Sequence, residues 1–182
     1  VVPIIPEIFV AIMVCVILVA GAFASRQKSL AFYLSQITLV VAAILVSVVF
    51  SKLDASQSVL IFHKTFVLDR LSVILKLFVL LAVFLTFLYS HFYNQDRKMP
   101  NTEFYVLGLL STVGMMILVS SHNLITIFMG VELVSLPTYA MVAMRRDNRR
   151  CVEAAMKYFI IDAIATGMLL YGFSMLFGAT QR

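Results

Sequence analysis

An acidic residue lies inside the apolar stretch GVELVSLPTYAMVAM, residues 130–144. Helical spacing places Ser135 and Tyr139 on the same face as Glu132, and Pro137 leaves one main-chain carbonyl of that helix without its usual donor. Burying an ionisable group in a bilayer costs about 2.5–3.5 kcal/mol, so the groups that persist there face protein or water. A buried carboxylate can load and release a proton when its partner moves or changes charge. We predict that Glu132 is functional; a structural carboxylate, hydrogen-bonded between helices, is the alternative.

Two further candidate residues, Lys157 and Asp162, lie in a later apolar stretch, CVEAAMKYFIIDAIATG. Lys157 lies near its beginning, where a lysine can snorkel to the interface or pair with Glu153 four residues before it. The depths of Glu132 and Lys157 differ by about 10 Å at the helical rise, which favours coupling through water over direct contact. Asp162 falls about 140° around the helix from Lys157 and needs a partner of its own. Lys157 and Asp162 are therefore candidate site residues whose structural explanations stay open.

Lys76 is the remaining charged candidate within an apolar stretch. It shares a helical face with Asp69 and Ser72 at i, i+3, i+7 spacing. This pattern favours an interfacial pair plus a snorkelling lysine over a functional site. We keep Lys76 as a secondary candidate, together with Ser135, Pro137, Tyr139 and Asp162.

The composition identifies the surroundings of these residues as lipid. The chain is 62% hydrophobic and 13% charged, with a mean hydropathy of +1.02, whereas soluble domains are about 45–50% apolar and about 25% charged. Spanning strands are excluded because open backbone is unstable in hydrocarbon. We predict an all-α, polytopic transmembrane helical bundle whose six spans cover roughly residues 4–24, 30–50, 68–92, 104–121, 124–144 and 152–177.

The basic residues predict how the bundle is oriented. Eight stand in the first, third and fifth loops, and four stand on the opposite side. The excess places loops one, three and five in the cytoplasm and both ends of the chain outside. Topology thus explains the net charge of +5 better than nucleic-acid binding does, although the RRDNRR loop could instead bind anionic lipid or a partner. The two groups are Arg26, Lys28, Arg97, Lys98, Arg145, Arg146, Arg149 and Arg150, against Lys52, Lys64, Arg70 and Arg182.

No motif in the sequence points to a metal or a redox cofactor. Cys15 and Cys151 lie far apart, and the three histidines lack metal-ligand spacing. Rossmann glycines, a Walker loop and a haem motif are missing as well. We expect no bound metal and no cofactor in this chain. Four glycines instead indicate close helix packing in spans four and six: Gly108, Gly114, Gly167 and Gly172.

The pattern HNL-x-x-x-F-x-G-x-EL-x-SLP, followed by a basic loop and EAAMKYF, resembles the antiporter-like membrane subunits of respiratory complex I. Among them the sequence looks most like subunit N. The resemblance is strong over residues 103–177 and weaker over residues 1–102. It implies the first part of a subunit of about 14 spans, in which inverted five-helix repeats form hydrated paths. Residues 1–102 would be three N-terminal transmembrane helices, and residues 103–182 the incomplete start of the repeat.

The resemblance also implies a function. Glu132 matches the span-five glutamate of the family and Lys157 a span-six lysine, so both would belong to a proton path in a proton-translocating subunit of NADH:quinone oxidoreductase. A seventh-span lysine that usually partners the glutamate would lie beyond these residues, and Asp162 departs from the small residue expected there.

The setting of that function follows from the same family. NADH, FMN, iron–sulfur clusters and quinone would be bound by other subunits, so this chain is expected to act as part of an enzyme without a redox site of its own. Its partners would be other membrane subunits and the lipid of a bacterial inner membrane. A cation/proton antiporter subunit and a non-catalytic scaffold are the alternatives.

Overall fold

The computed structural model describes residues 4–23, 30–51, 59–61, 66–96 and 101–180. Six helices in these ranges are long and apolar enough to cross a membrane. This confirms the predicted all-α transmembrane architecture, with most helix ends within a few residues of those expected. The helices are α1 (Ile5–Phe23), α2 (Leu30–Ser51), α3 (Arg70–Asp96), α4 (Asn101–Val119), α5 (Leu124–Val142) and α6 (Arg149–Thr180).

A short antiparallel hairpin between α2 and α3 was not predicted from the sequence. Strand β1 (Val59–Ile61) pairs with β2 (Phe66–Leu68). The segments VLI and FVL are rich in β-branched and aromatic residues, which suit strands, but they are too short to stand out within a linker. The Val67 main-chain N–H donates to the Ser120 carbonyl at 2.9 Å, so β2 is attached to the turn between α4 and α5. We call this end of the bundle the hairpin end.

The core lies among the first four helices, because α1, α2 and α3 all pack against α4. Helix α5 packs mainly against α4, with Leu133 against the core, and α6 packs mainly against α5. The largest fully buried side chains all belong to the first four helices: Tyr105, Ile17, Leu39, Leu80, Leu109 and Met116. In α6 only Ala155 is buried, so that helix presents apolar side chains on nearly its whole circumference.

Glycines allow α4 and α5 to approach each other closely. A Cβ added at Gly114 would lie 2.9 Å from main-chain atoms of Leu133 and Val134, and one at Gly130 would lie 3.2 Å from the Cα of Leu118. Gly108 likewise faces the ring of Phe87. The predicted close packing is therefore confirmed in α4.

The same prediction is wrong for α6 in this part of the chain. A Cβ at Gly167 or Gly172 would meet no atom of the described residues within 4 Å. The reason is that among the described elements α6 packs mainly against α5, and these glycines lie outside that contact.

Candidate functional site

Glu132 lies in the middle of α5. It follows the first helical residue, Leu124, by eight positions, or about 12 Å at the helical rise. The helix begins at an Asn123 cap whose side chain accepts from the Ile125 N–H, as expected of a helix-entry residue. The Glu132 residue is half-buried, and its Oε1 atom is fully buried without a hydrogen-bond partner among the described residues. Buried polar atoms are almost always paired, so an orphaned carboxylate oxygen marks this position.

The backbone on both sides of Glu132 is held against α4. Gly114 of α4 lies against the main chain of Leu133, the residue after Glu132. Gly130, two residues before Glu132, lies against Leu118 of α4. Side chains larger than hydrogen at these glycines would separate the two helices. The carboxylate is therefore carried by the closest contact between α4 and α5.

Tyr139 connects α5 to α6. Its side chain is buried and its hydroxyl donates to the Asp162 carboxylate. The rings of Tyr158 and Phe159 pack edge-on against it, with centroids 4.9 and 5.7 Å away. Tyr139 thus supplies the separate partner that Asp162 was expected to need. The Tyr139 hydroxyl, which was predicted to share a helical face with Glu132, thus donates to Asp162.

Ser135, the other member of the predicted stripe, and Pro137 form no hydrogen bond with the Glu132 carboxylate in the described part of the chain. Pro137 is buried inside α5, which continues past it to Val142, and Ser135 is half-buried. The nearby Thr138 hydroxyl donates to the Val134 carbonyl at 2.7 Å. Their predicted functional role stays a prediction.

Lys157 pairs with a residue of its own helix. Its Nζ lies 2.6 Å from Glu153 Oε1, and both side chains are more than half exposed. Exposed pairs at this spacing contribute only about 0.3–0.5 kcal/mol. Among the described residues no hydrogen bond or salt bridge joins Lys157 to Glu132, in line with the expectation that the two are not in direct contact.

Lys76 is neither snorkelling nor paired with its neighbour, so the favoured interpretation of its stripe is wrong. Its residue is 2% exposed and its ammonium donates to the carboxylate of Glu7, which is 5% exposed. Asp69 instead accepts from the Arg70 main-chain N–H at 2.7 Å, and Ser72 donates to the Val119 carbonyl at 3.3 Å. The lysine turns inward because α1 offers it an acidic partner inside the bundle.

Glu7 is a buried charge that reasoning from the sequence missed. It follows Pro6 in the first turn of α1, where an acid usually serves only the helix terminus. The available signal was topological: α1 and α3 begin at the same end of the bundle, so an acid and a lysine near their starts can meet. One oxygen of this carboxylate, Oε2, is buried without a hydrogen-bond partner in the described part of the chain.

Metal ligands do not gather among the described residues, which contain no group of three or more His, Cys, Asp or Glu side chains suited to an ion. Cys15 is exposed and Cys151 partly exposed, both as thiols. His91 contacts the Tyr105 hydroxyl at 3.2 Å and stacks on Phe32. These groups take part in packing and surface contacts in the described ranges.

Comparison with known proteins connects this arrangement to one family. Residues 121–182 match the model of the NADH:quinone oxidoreductase/Mrp antiporter transmembrane family. The chain is 57% identical to NADH-quinone oxidoreductase subunit N of Coxiella burnetii, over 99% of this chain and 37% of that protein. It is 49% identical to subunit N of Thioalkalivibrio sulfidiphilus, over 98% of this chain and 36% of that protein.

A solved structure agrees at the level of the fold. A chain of respiratory complex I from Thermus thermophilus, determined with bound aureothin, superposes with a TM-score of 0.75 at 24% identity, covering 96% of this chain and 36% of that one. The chain thus spans little more than a third of the relatives that it matches. The resemblance indicated by the motifs is confirmed: over nearly its whole length this chain is similar to subunit N, an antiporter-like membrane subunit of bacterial respiratory complex I.

Proposed function

We propose that this chain is part of a proton-translocating membrane subunit of NADH:quinone oxidoreductase and that Glu132 carries protons in it. One observation carries the proposal: a carboxylate oxygen in the middle of a membrane-length helix is buried and has no hydrogen-bond partner among the described residues. The similarity to subunit N over nearly the whole chain supports the same function.

The chemistry required of Glu132 is proton binding and release. In general, removal from water disfavours the charged form of a carboxyl group, and an approaching cation favours it. A change in the charge or distance of a cationic partner therefore loads or unloads the carboxyl group. Moving one proton against 100 mV requires about 2.3 kcal/mol, which would come from electron transfer in other subunits.

Lys157 is the second proposed station of the path. Its exposed pair with Glu153 is weak, so its ammonium can change partners at little cost. The bond from Tyr139 to Asp162 joins α5 to α6 and would keep the helices that carry Glu132 and Lys157 in register. Ser135, Pro137 and Asp162 would act by shaping these helices.

The remaining features of the proposal follow from the family. The chain would work with other membrane subunits of complex I in a bacterial inner membrane, with loops one, three and five in the cytoplasm. NADH, FMN, iron–sulfur clusters and quinone would be bound elsewhere in the complex. Residues 1–102 would form the N-terminal three helices, and residues 103–182 would begin the antiporter-like repeat.

Replacing Glu132 by glutamine in the full-length subunit tests the function. The amide keeps the size of the side chain but cannot bind a proton in the physiological range. We expect fewer protons moved per NADH oxidised in membrane vesicles, with normal assembly of the complex. Glu103→Gln is the matched control, because Glu103 is an exposed carboxylate in the first turn of α4.

Other results would favour the alternatives. An unchanged proton yield in an assembled Glu132→Gln complex contradicts the proposal. Loss of assembly with unchanged turnover per assembled complex indicates a scaffold. Sodium-dependent proton exchange in vesicles without NADH indicates a cation/proton antiporter.

A further inference from the structure

A second pair of buried charges lies in the first four helices, apart from Glu132. Lys76 of α3 donates to Glu7 of α1, and their side chains are only 3% and 6% exposed. The two residues are 69 positions apart in sequence, so the contact is a product of the fold. Glu7 keeps a second carboxylate oxygen, Oε2, that is buried and unpartnered among the described residues.

Stability does not explain such a pair. Replacing a buried ion pair by apolar side chains of similar volume is often neutral or stabilising, because desolvation offsets the attraction between the charges. A carboxylate also accepts several hydrogen bonds, and Glu7 uses one oxygen for the lysine. Glu7 Oε2 is therefore an acceptor without a partner among the described residues, at a position where apolar side chains would be at least as stable.

Polar groups continue from the pair toward the hairpin end. Ser72 precedes Lys76 by one helical turn and donates to the Val119 carbonyl at 3.3 Å. The next residue, Ser120, has a buried hydroxyl without a partner in the described ranges, and its carbonyl accepts from β2. Buried polar groups in such a row are where ordered water is normally bound. The row ends at the turn between α4 and α5, where His122 is exposed.

The other described titratable groups near this region are not bonded to Glu7 or Lys76. The elements packed against α1 and α3 are α2, α4 and β2. Described titratable side chains on these elements and the adjoining turn are exposed or bonded elsewhere: Cys15, Tyr33, Asp69, Arg70, Tyr89, Tyr93, Glu103 and His122 are at least partly exposed, and His91 contacts Tyr105. Among the described residues, Glu7 and Lys76 are therefore each other's charged partners.

We propose that the Glu7–Lys76 pair is a proton-binding site of its own, reached by water from the hairpin end past Ser72 and Ser120. In the binding step an O–H bond forms at Glu7 Oε2 as a hydronium ion gives up its proton and leaves as water. The pair changes from neutral to a single positive charge on Lys76. An unpaired cation is unfavourable in apolar surroundings, so the site returns the proton when the external concentration falls. This inference does not depend on the role proposed for Glu132.

Infrared difference spectroscopy of the full chain in lipid vesicles tests the site. On acidification from neutral pH we expect a carboxylic-acid C=O band that shifts in D₂O, because water reaches the group. Glu7→Gln should lose this band, while Glu103→Gln and Glu132→Gln should retain it. Lys76→Met should alter the band, because it removes the cation that the Glu7 carboxylate contacts.

The double variant Glu7→Leu with Lys76→Met separates proton binding from folding. It removes both charges together, so it should insert and fold like the wild type but lack the band. If the wild-type band is unaffected by Glu7→Gln, or fails to shift in D₂O, the proposal is wrong and the pair is a dry structural contact. The same conclusion follows if Lys76→Met leaves the band unchanged. Failure of the Glu132→Gln pumping experiment would change none of these readings.

Discussion

At the scale of single residues, the three glutamates Glu7, Glu132 and Glu153 differ in their burial and in their partners. Glu153 is exposed and pairs with Lys157 on its own helix, whereas Glu7 is buried and pairs with Lys76 on another. Glu132 has a buried oxygen with no partner in the described chain. Because a charge costs more where it is removed from water, burial distinguishes Glu7 and Glu132 from the exposed Glu153.

The hydrogen bond between Tyr139 and Asp162 gives a prediction at this scale. Asp162 is only partly exposed, and hydrogen bonds to charged groups contribute about 1.5–3 kcal/mol. A double-mutant cycle with Tyr139→Phe and Asp162→Ala should yield a coupling energy of about 1–3 kcal/mol in the free energy of unfolding. Unfolding in mixed detergent micelles measures it.

An exposed tyrosine of α6 provides the control for this cycle. Tyr171 is 68% exposed, so Tyr171→Phe combined with Asp162→Ala should show additive effects. A coupling energy near zero for Tyr139 and Asp162 would mean that the contact does not hold α5 against α6.

The sequence identified Glu132 but not Glu7, and the difference has a physical origin. Glu132 interrupts an apolar stretch near its middle, where a charge is costly on any helix. Glu7 stands near the start of its helix, where the same charge has an ordinary explanation. Its burial depends on α1 lying beside α3, and sequence periodicity does not carry that information. Lys76 was misinterpreted for the same reason.

At the scale of helices and strands, hydropathy predicted nearly everything that spans the membrane. All six apolar stretches became helices, because a helix satisfies its own backbone hydrogen bonds in lipid. The hairpin was missed because three-residue strands have no periodic signal, and their pairing with the turn after α4 is a tertiary contact. Glycine packing was predicted for two helices and found in α4, since a glycine shows where a close approach is possible but not whether a neighbour is present.

The glycines of α4 and α6 form a matched pair for experiment. Gly114→Ala places a methyl group 2.9 Å from the main chain of α5, and such overpacking costs about 1–3 kcal/mol. Gly167→Ala meets open space, and the better helix propensity of alanine should be neutral or stabilise by up to about 1 kcal/mol. Detergent unfolding of the two variants compares these effects. Equal stability of the two would contradict the close contact between α4 and α5.

At the scale of the whole molecule, the packing is uneven along the chain. Helices α1 to α4 enclose a core of buried side chains, whereas in α6 only Ala155 is buried. Apolar side chains on the outside of a membrane protein are stable against lipid or against other helices. Helix α6, which carries Lys157, is accordingly the helix with the most apolar surface available for contact with lipid or with other helices.

The predicted orientation can be tested on the whole chain. With Cys15 and Cys151 replaced by serine, single cysteines at Arg146 and at His122 probe exposed positions beyond opposite ends of α5. In intact bacterial cells, a maleimide that cannot cross the membrane should label His122→Cys at once and Arg146→Cys only after permeabilisation, because basic loops stay in the cytoplasm. The reverse labelling order would overturn the orientation.

The hydrogen bond from Val67 to Ser120 has a mechanical consequence. It joins the hairpin to the turn before α5, and at Gly114 the backbones of α4 and α5 lie in close contact beside Glu132. A protein that binds the hairpin would therefore contact a segment hydrogen-bonded to the turn that precedes the helix bearing this carboxylate. Binding at the hairpin could in this way affect the position of α5 inside the bundle.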